Sequence, residues 1–405
     1  MKRHLTQGAT VALLSVLLLN CVAMAGKSME LRSANTYFNQ GDMKQAQEWY
    51  EKAAEKDTKE GQVYARLVQL YADQKRWPEM TRAFAHLDGC ADKPAELKKF
   101  KAEAQKVIDQ LWMGLWNGSI EQTKEADAAL AKGDSAAVRD HFEQARARVV
   151  TALEILPNRA EFTKRVGDLY INEFNTLYAS EDGFPLLRKA AETYGQLAQA
   201  YPDSAEYAVT LTQLYYNVRD YDQARRVVDQ ALQRHPQHGE LLTYAGKARI
   251  QQALKMKDDK GEVSAAGKAL MAEATGFLNQ AIAANPGDPM LVYNLALLYR
   301  DMNDPHKALE TFGRMEGLLG ATPPGELDPQ QQGLLFDSWY SIAVLYFQDL
   351  PEAEQSAAKA ADYFEKCLGL QPDNKGLKFN LGVALVRTGD KAKVLRGKKL
   401  MEEGQ

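Results

Sequence analysis

The sequence predicts an all-α chain of repeated helix–turn–helix units, and three observations predict it. Like residues recur at a spacing of thirty-four: Tyr37 and Tyr71, Tyr50 and Phe84, Pro202 and Pro236, Ala274 and Ala308, Leu278 and Phe312. A fixed period of that length is the signature of a helical array. Inside the period, apolar residues keep helical spacing, as at Leu291, Leu295, Leu298 and Tyr299. Strand signals are missing: no alternating Val/Ile/Thr runs occur, and no Asn-Gly turn joins two of them.

The stretch from Met290 to Met315 shows one unit in full. Its first helix ends at the turn Met302-Asn303-Asp304-Pro305, and a second carries Ala308, Phe312 and Met315. Pro305 suits the first turn of that helix, where a missing N–H removes no hydrogen bond. The same scheme recurs along the chain. A small residue stands midway along each first helix, at Ala34, Gly167, Gly246, Ala296, Ala343 and Gly382. An aromatic follows three residues on at Tyr37, Tyr170, Tyr299 and Tyr346, with Tyr71 and Tyr215 in register. Alanine comes early in the second helix, at Ala46, Ala224, Ala274, Ala308 and Ala360, and a large residue four later, at Tyr50, Val228, Leu278, Phe312 and Phe364. A proline closes the unit at Pro157, Pro202, Pro236, Pro286 and Pro372.

This pattern resembles the tetratricopeptide repeat. The resemblance covers most of residues 27–405 and implies a right-handed superhelical solenoid of eight or nine helix pairs, each burying its apolar face only against its neighbours. The pattern is not uniform. Met80 stands where alanine is expected, and residues 93–157 form one unit with elongated helices. There Leu97, Phe100, Ala104, Val107, Leu111 and Leu115 make a long amphipathic stripe, with Gly114 and Gly118 leaving open whether it is one helix or two. Extra residues separate the two helices near Tyr178–Pro185 and Lys255–Lys268. A Pro/Gly/Gln-rich loop is expected at 320–333. The expected organisation is thus 26–92, 93–157, 158–319, the loop, and 334–405, the last closing in a basic helix that caps the array.

Residues 1–25 read as a secretory signal peptide. Lys2 and Arg3 precede an apolar run from Val11 to Leu19, and Ala23-Met24-Ala25 offers a small-x-small cleavage pattern before Gly26. A periplasmic protein is the expectation. Cys21 supplies the alternative of a lipid-anchored outer-membrane scaffold, against which Asn20 stands where a small residue is wanted. With 50 basic and 54 acidic residues the formal charge is −4, which argues against a nucleic-acid partner. No hydrophobic segment beyond residue 25 approaches membrane-spanning length. Cys90 and Cys367 are expected to be unpaired, because many repeats separate them.

Catalytic patterns fail on inspection. The six histidines show no His-Glu-x-x-His arrangement, and no Cys-x-x-Cys pair or Gly-x-Ser-x-Gly elbow occurs. Gly261 to Ala269 approaches a phosphate-binding loop, but its glycines are one residue too far apart, and Ala269 replaces the hydroxyl that would hold magnesium. No enzyme, cofactor or metal site is expected.

The resemblance also implies where a partner sits, since in this family the first helix of each pair lines a concave groove. Carried onto this sequence, those positions are polar in the middle: Lys164 and Asp168, Gln213 and Asn217, Thr243 and Lys247. Toward the C-terminus they become apolar and aromatic: Tyr293 and Leu297, then Tyr340, Val344 and Phe347, then Phe379, Val383 and Val386. Asn294 and Asn380 stand where some family members use asparagine to hold a peptide backbone, an amide being both donor and acceptor. Three readings of this wall stay open: a groove for a protein or peptide segment, a surface for homo-oligomer formation, or internal core.

Overall fold

The computed structural model describes residues 27–404 apart from Asp57, Ala179 and Lys260. The expected signal peptide and Cys21 lie outside the described residues. Contacts divide the chain into two compact units, residues 1–179 and 180–405, so the stretch 158–319 expected as one block is split near its start.

The first unit holds α1 (Met29–Gln40), α2 (Met43–Glu55), α3 (Gly61–Asp73), α4 (Trp77–His86), α5 (Pro94–Ala131), α6 (Ser135–Ile155) and α7 (Ala160–Leu177). The second holds α8 (Phe184–Ala200), α9 (Ala205–Asn217), α10 (Tyr221–Leu232), α11 (Gly239–Leu254), α12 (Ala265–Ala284), α13 (Pro289–Asp301), α14 (Pro305–Leu319), α15 (Pro329–Val344), α16 (Ala357–Leu370), α17 (Lys375–Arg387) and α18 (Lys391–Glu403). Among the described residues there is no strand, only an isolated antiparallel bridge between Lys257 and Val263. Within each unit consecutive helices pack pairwise, as an all-α repeat solenoid requires.

Two turn types alternate, and each has a local cause. Inside a pair, the first helix ends on a residue in the left-handed region: Gly41, Lys75, Gly133, Arg219, Asn303 or Gly389. In five of these six turns the next residue is an aspartate that caps the second helix. Asp42, Asp134, Asp220, Asp304 and Asp390 each accept the backbone N–H three residues on. Between pairs, Pro202, Pro236, Pro286 and Pro372 sit second in tight turns closed by hydrogen bonds such as Ser204 N–H to Tyr201 C=O. Proline's fixed φ suits that position.

The repeat signature forms the core. Ala34, Ala46, Ala224, Ala274, Ala296, Ala308, Ala343 and Ala360 are buried, as are Tyr50, Val228, Leu278, Phe312 and Phe364. Met80 is buried as well, filling the place of the expected alanine. The glycines mark the closest approaches. A Cβ on Gly246 would stand 3.0 Å from Leu278, and one on Gly382 only 2.6 Å from the Gly397 carbonyl oxygen of α18.

α5 is one continuous helix of 38 residues, about 57 Å at 1.5 Å per residue. Gly114 and Gly118 do not break it. Ala104 and Ile108 pack into one core, and Ala126 and Ala129 into the next, so both halves are held. Gly118 leaves room for Arg148, whose guanidinium would be 2.8 Å from an added Cβ. The expected loop 320–333 is shorter than the sequence suggested. Asp328 and Gln331 form a capping box that starts α15 at Pro329, so 329–333 are its first turn. At 261–269, Ser264 caps α12 and Gly267 lies buried in its first turn, which makes this segment an inter-helix connection.

Candidate partner-binding wall

Eight of the nine residues singled out as a candidate groove fall on three successive first helices of the second unit, α13, α15 and α17, and the ninth, Phe347, on the turn that follows α15. Side chains link these helices laterally. The Tyr293 hydroxyl donates to Asp337 of α15 at 3.3 Å, and its ring meets Phe312 edge-on at 6.1 Å. Burial and the Asp337 carboxylate push the Tyr293 phenol up to about 12, so it remains a donor at neutral pH. Tyr340 stacks on Phe336 and meets Phe364 edge-on at 5.7 Å. Its hydroxyl accepts from Asn380 Nδ2 of α17 at 3.3 Å.

The C-terminal end of α15 opens into a π-helical turn, Leu345–Asp349, which carries Phe347. Arg387 of α17 holds that turn. It donates to the Phe347 carbonyl at 2.9 Å and to Gln355 at 3.0 Å, and its guanidinium lies 4.9 Å from the centre of the Phe347 ring. The wall is therefore fixed by its own side chains, yet it is not consumed by them: Tyr340 and Phe379 each remain 36% exposed.

The other candidates divide. Leu297 and Val344 are half-buried and pack against core clusters, and Val383 is half-buried beside Gly382. Val386 is turned toward α18, with its Cγ2 3.0 Å from where a Cβ of Gly397 would stand. The two asparagines are not equivalent. Asn380 is engaged by Tyr340, whereas the Asn294 amide nitrogen is shielded from solvent and has no acceptor among the described residues.

The polar middle positions are largely engaged locally. Lys164 pairs with Asp168 at 3.2 Å, and Thr243 donates to the Gly239 carbonyl at 2.8 Å. Lys247 lies over the Tyr244 ring, and burial lowers its pKa. Sequence reasoning missed a polar cluster in the second unit. Buried Arg249 reaches Asp229 on α10 at 2.9 Å and Glu273 on α12 at 2.7 Å, and lies over Phe277. The available signal was Arg249 itself, three residues after Gly246, where the pattern wants an aromatic.

No cluster of three metal-binding side chains occurs among the described residues, and no helix among them is long and apolar enough to cross a membrane. Cys90 and Cys367 are both free thiols, and burial pushes Cys367 up to about 12. Two open depressions lie away from the wall. One, of about 780 Å³, lies over Glu60, Arg66 and Glu96, and the other, of about 430 Å³, lies between Gln199, Pro202 and Arg234.

Tetratricopeptide-repeat family models match residues 31–57 and 209–289. No curated protein matches the chain by sequence. Among solved structures, a crystal structure of MamA shares 20% identity over 46% of this chain and 90% of its own, with a TM-score of 0.35. The protein YrrB, described as a TPR protein with an unusual peptide-binding site, shares 15% over 53% of this chain and 93% of its own, TM-score 0.39. PilF of Pseudomonas aeruginosa shares 16% over 62% of this chain and 94% of its own, TM-score 0.37. Likenesses this loose carry nothing about ligands. The matched segments, the buried repeat signature and the alternating turns agree: residues 31–57 and 209–289 of this chain are tetratricopeptide repeats, set in an all-α repeat solenoid.

Proposed function

We propose that this protein is a non-enzymatic scaffold that holds a segment of another protein against the wall of α13, α15 and α17. The observation that carries this reading is the lateral set of bonds from Tyr293 to Asp337, Asn380 to Tyr340 and Arg387 to Phe347. They order aromatic side chains without covering Tyr340 and Phe379. Preordered aromatic side chains lose little entropy on binding, and such residues dominate interface energies. The N-terminal pattern ending at Ala25 supports export, most simply to the periplasm, with a role in cell-envelope assembly or secretion.

The test is comparative capture. The unaltered chain and a Phe379→Glu variant of equal helical content are immobilised, and envelope extract is passed over both. A protein retained by the first and reduced at least tenfold on the second supports the reading. Equal retention on both, or none, overturns it. Sedimentation of the unaltered chain separates a foreign partner from a second copy, and an intact mass starting at Gly26 is expected for the exported form.

A further inference from the structure

Arg146 on α6 and Arg165 on α7 of the first unit, and Arg249 on α11 of the second, turn partly or fully inward, and the fold treats them differently. Arg146 of α6 pairs with the buried Glu173 and lies over the Tyr170 ring. Arg249 of α11 has two carboxylates, a backbone carbonyl and a ring. Arg165 of α7 has far less. It makes one long bond, from Nη2 to the Thr123 hydroxyl of α5 at 3.3 Å, and its Nε is shielded from solvent with no acceptor among the described residues. Asp168 is the carboxylate that acts on it through space, but that group pairs with Lys164. Burial accordingly pushes the Arg165 pKa down. A guanidinium offers five donors, and a partly buried cation without a paired anion is costly.

The face of α5 that reaches Arg165 through Thr123 has its own pattern. Met113, Trp116, Ile120 and Thr123 follow one another at i, i+3, i+7 and i+10 on α5, a single helical face. Met113 is 43% and Ile120 37% exposed, two helical turns apart on that face. Trp116 is packed on Phe162 of α7, at 5.6 Å between ring centres, three residues before Arg165. The result is an apolar shelf on α5 that ends at an under-satisfied cation.

We infer that this shelf is a second recognition site, which takes a short extended protein segment bearing an apolar side chain near one end and an aspartate or glutamate at the other. The carboxylate meets the outer nitrogens of Arg165, whose neighbouring carboxylate Asp168 is shared with Lys164, and the apolar side chain lies on Met113 and Ile120. From Met113 to Thr123 is about 15 Å along the helix, which an extended chain covers in about five residues. The site lies in the first unit and does not depend on the wall of α13, α15 and α17.

The test uses the full chain with arginine side-chain NMR, the Arg165 Nε–H signal being assigned through Arg165→Gln. The probes are an end-capped pentapeptide with leucine first and glutamate last, its glutamine counterpart, and sodium acetate. The glutamate peptide is expected to shift the Arg165 signal saturably, at least tenfold more tightly than the glutamine peptide or acetate. In Arg165→Gln its affinity, read by fluorescence anisotropy, is expected to fall at least tenfold, with recovery in part by Arg165→Lys. No saturable shift, or equal responses to the glutamate and glutamine peptides, overturns the site. Equal affinity for the peptide and acetate overturns the shelf. The two-peptide comparison is made on the unaltered protein and so stands even if a variant folds poorly.

Discussion

Single residues carry much of the repeat geometry at the turns. Six intra-pair turns need a left-handed residue, and glycine supplies it at Gly41, Gly133 and Gly389, while Lys75, Arg219 and Asn303 supply it elsewhere. Glycine adopts that conformation without steric cost, whereas a residue with a Cβ does so under strain. Lys75 is the clearest case, at φ 57 and solvent-exposed, with no side-chain bond among the described residues. Lys75→Gly is therefore expected to stabilise the protein by about 0.5–1 kcal/mol, part of the strain relief being offset by a looser unfolded chain. A denaturation midpoint that falls would show the backbone there to be unstrained. The buried small residues were legible in the sequence because their spacing repeats. The capping aspartates were equally regular, at Asp42, Asp134, Asp220, Asp304 and Asp390. They were missed because an Asp after a turn residue is common anywhere in a soluble chain.

Elements are held by their neighbours on either side, and α11 shows how a polar residue takes part. Arg249 stands at a position that elsewhere is aromatic, and it serves the same purpose by spanning three helices, with Asp229 on α10 and Glu273 on α12. Its side chain is 6% exposed, while the carboxylates are 37% and 47% exposed. Removing the arginine would let both acids return to water, so the loss is smaller than for a fully buried pair. Arg249→Ala is expected to cost about 2 kcal/mol, from lost packing on Phe277 as well as lost pairing. A chemical denaturation series with Asp229→Asn checks this. If the single and double changes add, the network is not coupled. α5 gives the complementary lesson. Its periodicity was plain, but two glycines left its continuity open, because each costs about 1 kcal/mol against alanine and only packing at both ends offsets that.

For the whole molecule, the division at residues 179 and 180 has a measurable consequence. Trp49, Trp77, Trp112 and Trp116 belong to the first unit, and Trp339 alone to the second. In a Trp339→Phe variant, fluorescence follows the first unit only, whereas circular dichroism follows every helix. The two denaturation curves are expected not to superimpose. Coincident curves would mean that the units unfold as one.

Sequence alone determined the helix pairs, the buried alanines and the turn prolines, because each is a local demand repeated at a fixed spacing: a close crossing, a fixed φ, an apolar face. It also located Tyr340 and Phe379 on first helices. Tertiary structure alone decided which groups find partners there, since a hydrogen bond between residues forty apart leaves no periodic trace. Thus, among the described residues, Asn380 is engaged by Tyr340 while the Asn294 amide nitrogen lacks an acceptor, and Arg249 meets two acids while Arg165 donates to a single hydroxyl. Those pairings depend on side chains brought together by neighbouring helices.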